Sequence, residues 1–322
     1  MSEERGIHPW VVEARERLRF AIVGAFLPDW EAQRDFVLRA EELGFDAYWL
    51  NDHPTRLIDC WSGLAALAMI TKKMRLISLV SCVYYRSAML LARQAADVDR
   101  LSGGRLVLGL GIGDDVQEFN QMQLPFPPTR ERHEMLVETI EAVRGLWAGA
   151  PFTYQGKHVR LEEAKLSPMP VQQPHVPLLI GGGGPRFTLR EVAKYADVAN
   201  IGPHEWIGGD YEVEDVRRKY EALRGHCEAV GRPYEAILRT HWTPLLTLAP
   251  SVTALEAKRA TTRIPDATLE SRPLFATPDE AVRHYQSLID AGAEYFLVTV
   301  TSKDVESVDL LVERVIPALE PR

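Results

Sequence analysis

Short apolar runs and longer amphipathic stretches alternate along this chain, and the alternation predicts strands and helices in turn. Residues 20–26 read as a first strand, followed by a helix over about 31–43 that Gly44 stops. A second strand spans 46–50, with a helix near 61–70. A third covers 75–83, rich in Leu, Ile and Val, with its helix over about 87–101. Ser102-Gly103-Gly104 leads into a fourth strand, 106–110, whose helix is deferred to about 130–147 behind a proline-rich loop. Residues 152–166 read as a hairpin with Gln155-Gly156-Lys157 at its turn. Strand five is 177–180 with a helix over 185–195, strand six 198–201 with a helix over 213–230, and strand seven 237–248. An insertion at 249–276 precedes a helix at 278–291, strand eight at 295–300 and a last helix at 305–319. About eight strand–helix units predict an α/β fold, a (β/α)8 TIM barrel, as one domain over 1–322 with its main insertion after strand seven. In such a barrel the chemistry gathers where the strands end.

Composition narrows the function classes. The chain has 322 residues, 46% hydrophobic and 25% charged, with a net charge of -8. A nucleic-acid surface needs a basic face, so that partner is not expected. Three cysteines, Cys60, Cys82 and Cys227, form no close pair and no His/Cys cluster, which argues against a disulfide framework or a structural zinc. Residues 1–19 are charged throughout and unlike a signal peptide, and no apolar stretch is long enough for a bilayer. The expectation is a cytoplasmic protein acting on a small molecule, without a membrane or nucleic-acid partner, as a homodimer.

The strand ends carry the candidate chemistry. Strand two ends in Asn51-Asp52-His53-Pro54: His53 can exchange a proton near neutral pH, and Asp52 can orient it or meet a ligand. Asn, Asp and Pro are also ordinary turn formers. Strand four ends in Gly109-Leu110-Gly111-Ile112-Gly113-Asp114-Asp115, where alternating glycines either admit a flat ligand or relieve crowding inside a barrel. It is not a dinucleotide fingerprint, since no helix opens at once and the unit is fourth in order. Strand five ends in Gly181-Gly182-Gly183-Gly184-Pro185. Bare amides before a helix suit a phosphate, with Pro185 as first helical residue and Arg186 and Arg190 adding charge. His204, Trp206, Gly208 and Gly209 follow strand six, as a loop over the site or as plain surface.

With these motifs the chain resembles the luciferase-like monooxygenase superfamily, and more closely its deazaflavin branch, which uses coenzyme F420. The resemblance rests on Ala40-Glu41-Glu42-Leu43-Gly44-Phe45-Asp46, on Asp52-His53, and on Asp99-Arg100-Leu101-Ser102-Gly103-Gly104-Arg105-Leu106. It continues through the helix at 130–147, the run Ile180 to Pro185 and residues 193–200. It implies a tricyclic cofactor across the strand ends, F420 with FMN as the alternative. It implies His53 as proton donor or acceptor and Asp114 as a second catalytic residue. The cofactor set it implies is Asp52, Ser81, Cys82, Val83, Asp115, Gly181, Gly182, Gly183, Gly184 and Asn200, with no metal. A non-proline cis peptide is expected at Cys82–Val83. Two positions depart from the family pattern: Pro54 replaces the usual aromatic after the histidine, and Asp114 is one carbon shorter than glutamate. Hydride transfer between F420 and an organic substrate is the leading reading. A reduced-FMN monooxygenase, a metal-dependent hydrolase using Asp52, His53 and Asp114, and a non-catalytic flavin binder are the alternatives.

Overall fold

The computed structural model describes residues 6–25, 27, 29–204, 209, 212–261 and 272–320. In chain order the elements begin α1 (Pro9–Arg15), β1 (Arg19–Ala25), α2 (Trp30–Glu42), β2 (Ala47–Leu50), α3 (Cys60–Ile70), β3 (Arg75–Ser78), β4 (Ser81–Cys82) and α4 (Ala88–Ser102). There follow β5 (Leu106–Gly111), α5 (Val116–Gln121), α6 (Thr129–Leu146), β6 (Phe152–Gln155), β7 (Arg160–Ala164), β8 (Leu178–Gly181), α7 (Thr188–Tyr195) and β9 (Val198–Ile201). The last are α8 (Val213–Val230), β10 (Leu238–Leu248), α9 (Val252–Thr261), β11 (Leu274–Ala276), α10 (Pro278–Asp290), β12 (Tyr295–Thr301) and α11 (Val305–Leu310). Phe26 of the predicted first strand, Trp206 and Gly208 of the loop after strand six, and 262–271 of the insertion lie outside the described residues. No helix among the described residues is long and apolar enough to cross a membrane.

Two compact units divide the chain: Met1–Tyr48 with Gly182–Arg322, and Trp49–Gly181. In the Trp49–Gly181 unit β5 is central. It pairs in parallel with β3 through Leu76↔Leu106, with β4 through Ser81↔Leu110 and Cys82↔Gly111, and with β8 through Leu108↔Leu178. Every residue of β5 is buried, as a parallel strand covered on both faces requires. The predicted hairpin is present as the antiparallel pair β6–β7.

The stretch 75–83 is not one strand. It breaks between β3 and β4, and the non-proline cis peptide lies inside that break, at Leu79–Val80. This corrects the expectation of a cis bond at Cys82–Val83. The reason lies across the ladder. The Ser78 hydroxyl donates to the Gly109 carbonyl and accepts from the Gly109 amide, both at 3.0 Å, so a side chain stands where a backbone rung would be. A Cβ on Gly111 would lie 2.4 Å from Val80 Cγ2, and one on Gly181 would lie 3.0 Å from Val80 Cγ1. The glycines therefore admit Val80. By Cys82 the chain is back in register, and the Val83 amide donates to the Gly111 carbonyl at 3.2 Å.

The charged letters of the 99–105 motif serve this unit's architecture. Asp99 is fully buried, and its carboxylate accepts from the amides of Val171 and Gln172 and from the Gln172 side chain. Gly103 closes α4 in the left-handed conformation, at φ +69°. Arg105 spreads its guanidinium over the carbonyls of Ala68, Thr71 and Met74, acceptors in the last turn of α3 and just beyond it.

In the other unit β10 is the longest strand and pairs in parallel with β9, β11 and β12. The insertion thus contributes α9 and the short strand β11. β12 pairs with β1 along all seven residues, and β1 pairs with Ala47 and Tyr48 of β2. Helix α10 starts on a reciprocal cap between Thr277 and Glu280, with Pro278 in its first turn.

One core residue of β10 is discordant. His241 is 3% exposed, and neither ring nitrogen finds a hydrogen-bond partner among the described residues. Burial, with lesser contributions from His284 and Lys219, pushes its pKa down from 6.5 to about 3. Between those values the unfolded chain binds a proton that the folded chain does not. The contribution to stability is therefore complete above about 6.5 and is lost as pH falls toward 3. His241→Leu is expected to flatten the decline in unfolding free energy on acidification by up to about 1.4 kcal/mol per pH unit, read from urea denaturation at a series of pH values. Equal slopes in parent and variant would show that His241 does not supply this proton linkage.

Candidate active site

The site in the Trp49–Gly181 unit is built around a carboxylate that the chain buries completely. β2 ends at Leu50 and delivers Asp52 at 3% exposure. One Asp52 oxygen accepts from the Ser81 hydroxyl at 2.8 Å, the Cys82 amide at 3.2 Å and Arg86 at 2.5 Å. The other accepts from Arg86 at 3.1 Å. Arg86 also reaches Asp59 at 2.6 Å, and Asp59 caps α3 by accepting from the Ser62 amide. Burial would raise the Asp59 carboxyl, but the bonds from Ser62 and Arg86 outweigh it and hold it below the ordinary range. Asp52, Ser81 and Cys82 are thus brought together, and Val83 is buried beside them. Burial pushes the Cys82 thiol up to about 12 and the Cys60 thiol well above its ordinary value, so neither presents a thiolate at neutral pH.

His53 follows Asp52 but serves a different carboxylate. Its Nδ1 lies 2.8 Å from Oε2 of Glu118, and its side chain is 26% exposed while that of Glu118 is 1% exposed. Glu118 also accepts from the Thr55 hydroxyl at 2.8 Å, the Thr55 amide at 3.3 Å and the Tyr85 hydroxyl at 2.8 Å. Burial would raise the Glu118 carboxyl. The hydrogen bonds from His53, Thr55 and Tyr85 prevail, together with the charge of His53, and hold it below the carboxylate range. The Tyr85 phenol is pushed up, first by burial and then by Cys82 and Glu118, so it donates as a neutral hydroxyl. Glu118, Thr55, Tyr85 and Arg86 were not singled out from the sequence. A signal for Glu118 was present: Asp115 and Glu118 are spaced as a capping box. Asp115 does cap α5, accepting from the Glu118 amide at 3.0 Å, and it also pairs with Arg56 at 2.9 Å. The Glu118 side chain turns to His53 and not back to the cap. Asp114 is exposed just ahead of α5. Among the described residues no group of three or more His, Cys, Asp or Glu side chains is arranged to hold a metal ion.

The glycine run begins at Gly181, at the end of β8, and Gly182 to Gly184 belong to the other unit. Gly182 has φ +117°, a conformation that side chains resist, and its amide donates to the Asn200 carbonyl at 3.0 Å. Asn200 is itself buried and accepts from the Thr240 hydroxyl. A Cβ at Gly184 would stand 3.0 Å from the Thr188 hydroxyl oxygen. The helix starts later than expected. Pro185 to Phe187 form a turn, and α7 opens at Thr188 behind Phe187 with no side chain capping its first amides. Pro185 is therefore not the first helical residue; its carbonyl lies 2.7 Å from His226 Nε2. Arg186 is exposed, and Arg190 lies 5.8 Å from the Phe187 ring centre. His204 is buried, and its carbonyl accepts from the Gly209 amide.

A family model described as luciferase-like monooxygenase matches residues 16–244. The F420-dependent glucose-6-phosphate dehydrogenase of Amycolatopsis mediterranei is 28% identical over 307 residues, covering 84% of this chain and 89% of that protein. The coenzyme F420 dependent tetrahydromethanopterin reductase of Methanopyrus kandleri superposes with TM-score 0.78 at 20% identity, covering 94% of this chain and 100% of that one. An F420-dependent secondary alcohol dehydrogenase in complex with an F420–acetone adduct gives TM-score 0.77 at 19% identity, covering 94% and 99%. At these identities the structural likeness shows the fold, which is the parallel α/β barrel of the TIM type that the strand–helix alternation predicted.

Removing one partner of a buried ion pair leaves an uncompensated charge and costs about 3–5 kcal/mol. Arg86→Met strands the Asp52 carboxylate in this way, and a loss of that size is expected in urea denaturation. A loss below about 1 kcal/mol would show that Asp52 does not depend on Arg86.

Proposed function

The chain belongs to the luciferase-like monooxygenase family, and from that premise we propose that it is an F420-dependent oxidoreductase acting on a hydroxyl-bearing carbon or the corresponding carbonyl. The observation that carries the reading is the setting of His53. Its Nδ1 is engaged, while its Nε2 has no partner among the described residues on a side chain that is 26% exposed. A ring held by one nitrogen with the other available is the arrangement a general acid–base residue needs. When bound, the deazaflavin supplies a two-electron hydride carrier, as nicotinamide does. Nε2 takes the hydroxyl proton of the substrate as hydride leaves the same carbon, and returns it in the reverse direction. The relative and one structural neighbour named as dehydrogenases act on glucose 6-phosphate and on secondary alcohols, which supports a hydroxyl-bearing substrate.

The residues present fit a phosphate-bearing cofactor. The glycine run has a backbone conformation at Gly182 that excludes most side chains, and it leads to a helix whose first turn no side chain caps. Gly181, Gly182, Gly183 and Gly184 would line the phosphate; since the Gly182 and Leu189 amides already donate to the Asn200 and Gly184 carbonyls, the amides of Gly183, Gly184 and Thr188 would hold it. Within the Trp49–Gly181 unit Asp52 accepts from Ser81 and Cys82, and these three with the buried Val83, whose amide is held by Gly111, would form a rigid wall. FMN also carries a phosphate and a tricyclic ring, so the family description keeps a reduced-FMN monooxygenase as the second reading.

Fluorescence titration separates the two: F420 is expected to bind at least about tenfold more tightly than FMN. Tight FMN binding without F420 binding would overturn the proposal in favour of the monooxygenase. Gly182→Val is expected to weaken F420 binding by about tenfold or more, because Val does not adopt the Gly182 backbone angle. An unchanged Kd would remove the loop from the cofactor site. With F420 bound, glucose 6-phosphate and 2-propanol serve as probe substrates, followed by the loss of cofactor absorbance. His53→Ala is expected to lower turnover on the order of a hundredfold to ten-thousandfold, with F420 affinity within about twofold of the parent. Unchanged turnover would take the proton role away from His53.

A further inference from the structure

Four donors converge on one buried carboxylate, and this decides where a proton sits. Glu118 Oε1 faces the Thr55 hydroxyl and amide, and Oε2 faces the Tyr85 hydroxyl and His53 Nδ1. An ionised carboxylate only accepts hydrogen bonds, so Nδ1 at 2.8 Å must carry the hydrogen. A competing demand falls on the same nitrogen. Arg56 Nη2 lies 3.0 Å from Nδ1, and a guanidinium only donates, so that contact requires a bare Nδ1. The two cannot be satisfied together. Arg56 is 56% exposed and has a second acceptor in Asp115 at 2.9 Å, whereas Glu118 is 1% exposed and has no solvent to replace a lost donor. The buried partner wins.

We infer that Glu118, held by Tyr85 and Thr55, is a positioning residue that fixes His53 as the Nδ1–H tautomer and so makes Nε2 the nitrogen that exchanges the substrate proton. The inference rests on the proposed proton role of His53. It adds which nitrogen reacts and which residues impose the choice. As the substrate O–H bond breaks and the Nε2–H bond forms, the ring becomes positive 2.8 Å from a carboxylate that stays ionised. The hydride leaving the same carbon would be taken up by the deazaflavin when bound, so one proton and two electrons are accounted for. Glu118 neither takes nor gives a proton. It stabilises the charged ring and keeps it from rotating, as the orienting carboxylate of a catalytic triad does.

The test is nitrogen-15 NMR of histidine-labelled protein with F420 bound, which distinguishes the tautomers by the shifts of the two ring nitrogens. The chain has 9 histidines, and His53→Ala identifies the signals that belong to His53. The expected result is the Nδ1–H form in the parent, loss of that preference in Glu118→Ala, and its retention in Arg56→Ala. Tyr85→Phe leaves the carboxylate in place with one donor fewer, and an intermediate response is expected. An Nε2–H form in the parent, or a tautomer that ignores Glu118→Ala, overturns the inference. If Glu118→Ala does not fold, Glu118→Gln and the parent spectrum decide it. With the probe substrates, Glu118→Gln is expected to lower kcat on the order of tenfold to a hundredfold with KM within about twofold. A change confined to KM counts against a positioning role. The two readings fail separately: full turnover in His53→Ala defeats the catalytic role, whereas the spectra alone decide the tautomer.

Discussion

The Asp52 carboxylate is the constraint to which the rest of the site is tied. A charge with no water around it persists only when its lone pairs are filled, and Asp52 fills them from Ser81, Cys82 and Arg86. Those residues come from β4 and from the approach to α4, so one side chain fixes where β2 ends relative to both. Arg86 carries the constraint on to Asp59 and the start of α3. His53 is the next residue, and its placement inherits this rigidity. A catalytic group held on a scaffold needs less reorganisation than one on a free loop. In the proposed function Asp52 would serve the chemistry by holding His53 in place.

Two adjacent residues therefore divide the work. Asp52 is sealed and paired with a permanent cation. His53 is partly open and paired with a buried anion. The contrast follows from what each group faces: Asp52 lies 2.5 Å from the Arg86 guanidinium, whereas His53 lies against Glu118, whose carboxyl is held below the ordinary range. Burying the partner and exposing the ring gives directionality, since in the proposed function only the nitrogen turned away from Glu118 would meet a ligand.

Much of the architecture was legible because it is periodic. Apolar runs of strand length and amphipathic stretches of helix length appear in their predicted order, and the hairpin turn at Gln155-Gly156-Lys157 needed only local chemistry. What the pattern hid was long-range. The break at Leu79–Val80 depends on glycines some 30 or 100 positions later, and Ser78 looks like an ordinary strand residue until it meets Gly109. Pro185 reads as a helix start by local preference, yet the chain makes a turn first. At the site, the side chains that end a strand were visible as polar letters after an apolar run, so Asp52 and His53 stood out. Their partners did not. Glu118 sits in a polar helix where glutamate is unremarkable, Tyr85 reads as an aromatic that closes the core at the end of strand three, and Arg86 is one charged letter before a helix. Only the fold brings a carboxylate 65 positions away to within hydrogen-bonding distance of the histidine.

The space that Val80 occupies also shapes how the chain can change over time. Val80 lies in room left by Gly111 and Gly181, and Gly109 must stay bare to let Ser78 approach. Gly109 and Gly111 taken singly are locked, because a methyl group at 111 collides with Val80 and one at 109 collides with the Ser78 carbonyl. The locks differ in kind. The clash at 109 is with backbone, and no substitution elsewhere relieves it. The clash at 111 is with a side chain, so alanine there becomes acceptable once position 80 is smaller. An ancestral or laboratory lineage would have to shrink residue 80 before it could enlarge residue 111, and the reverse order would be closed. The pair should therefore show sign epistasis, with the same glycine-to-alanine step harmful on one background and tolerated on the other.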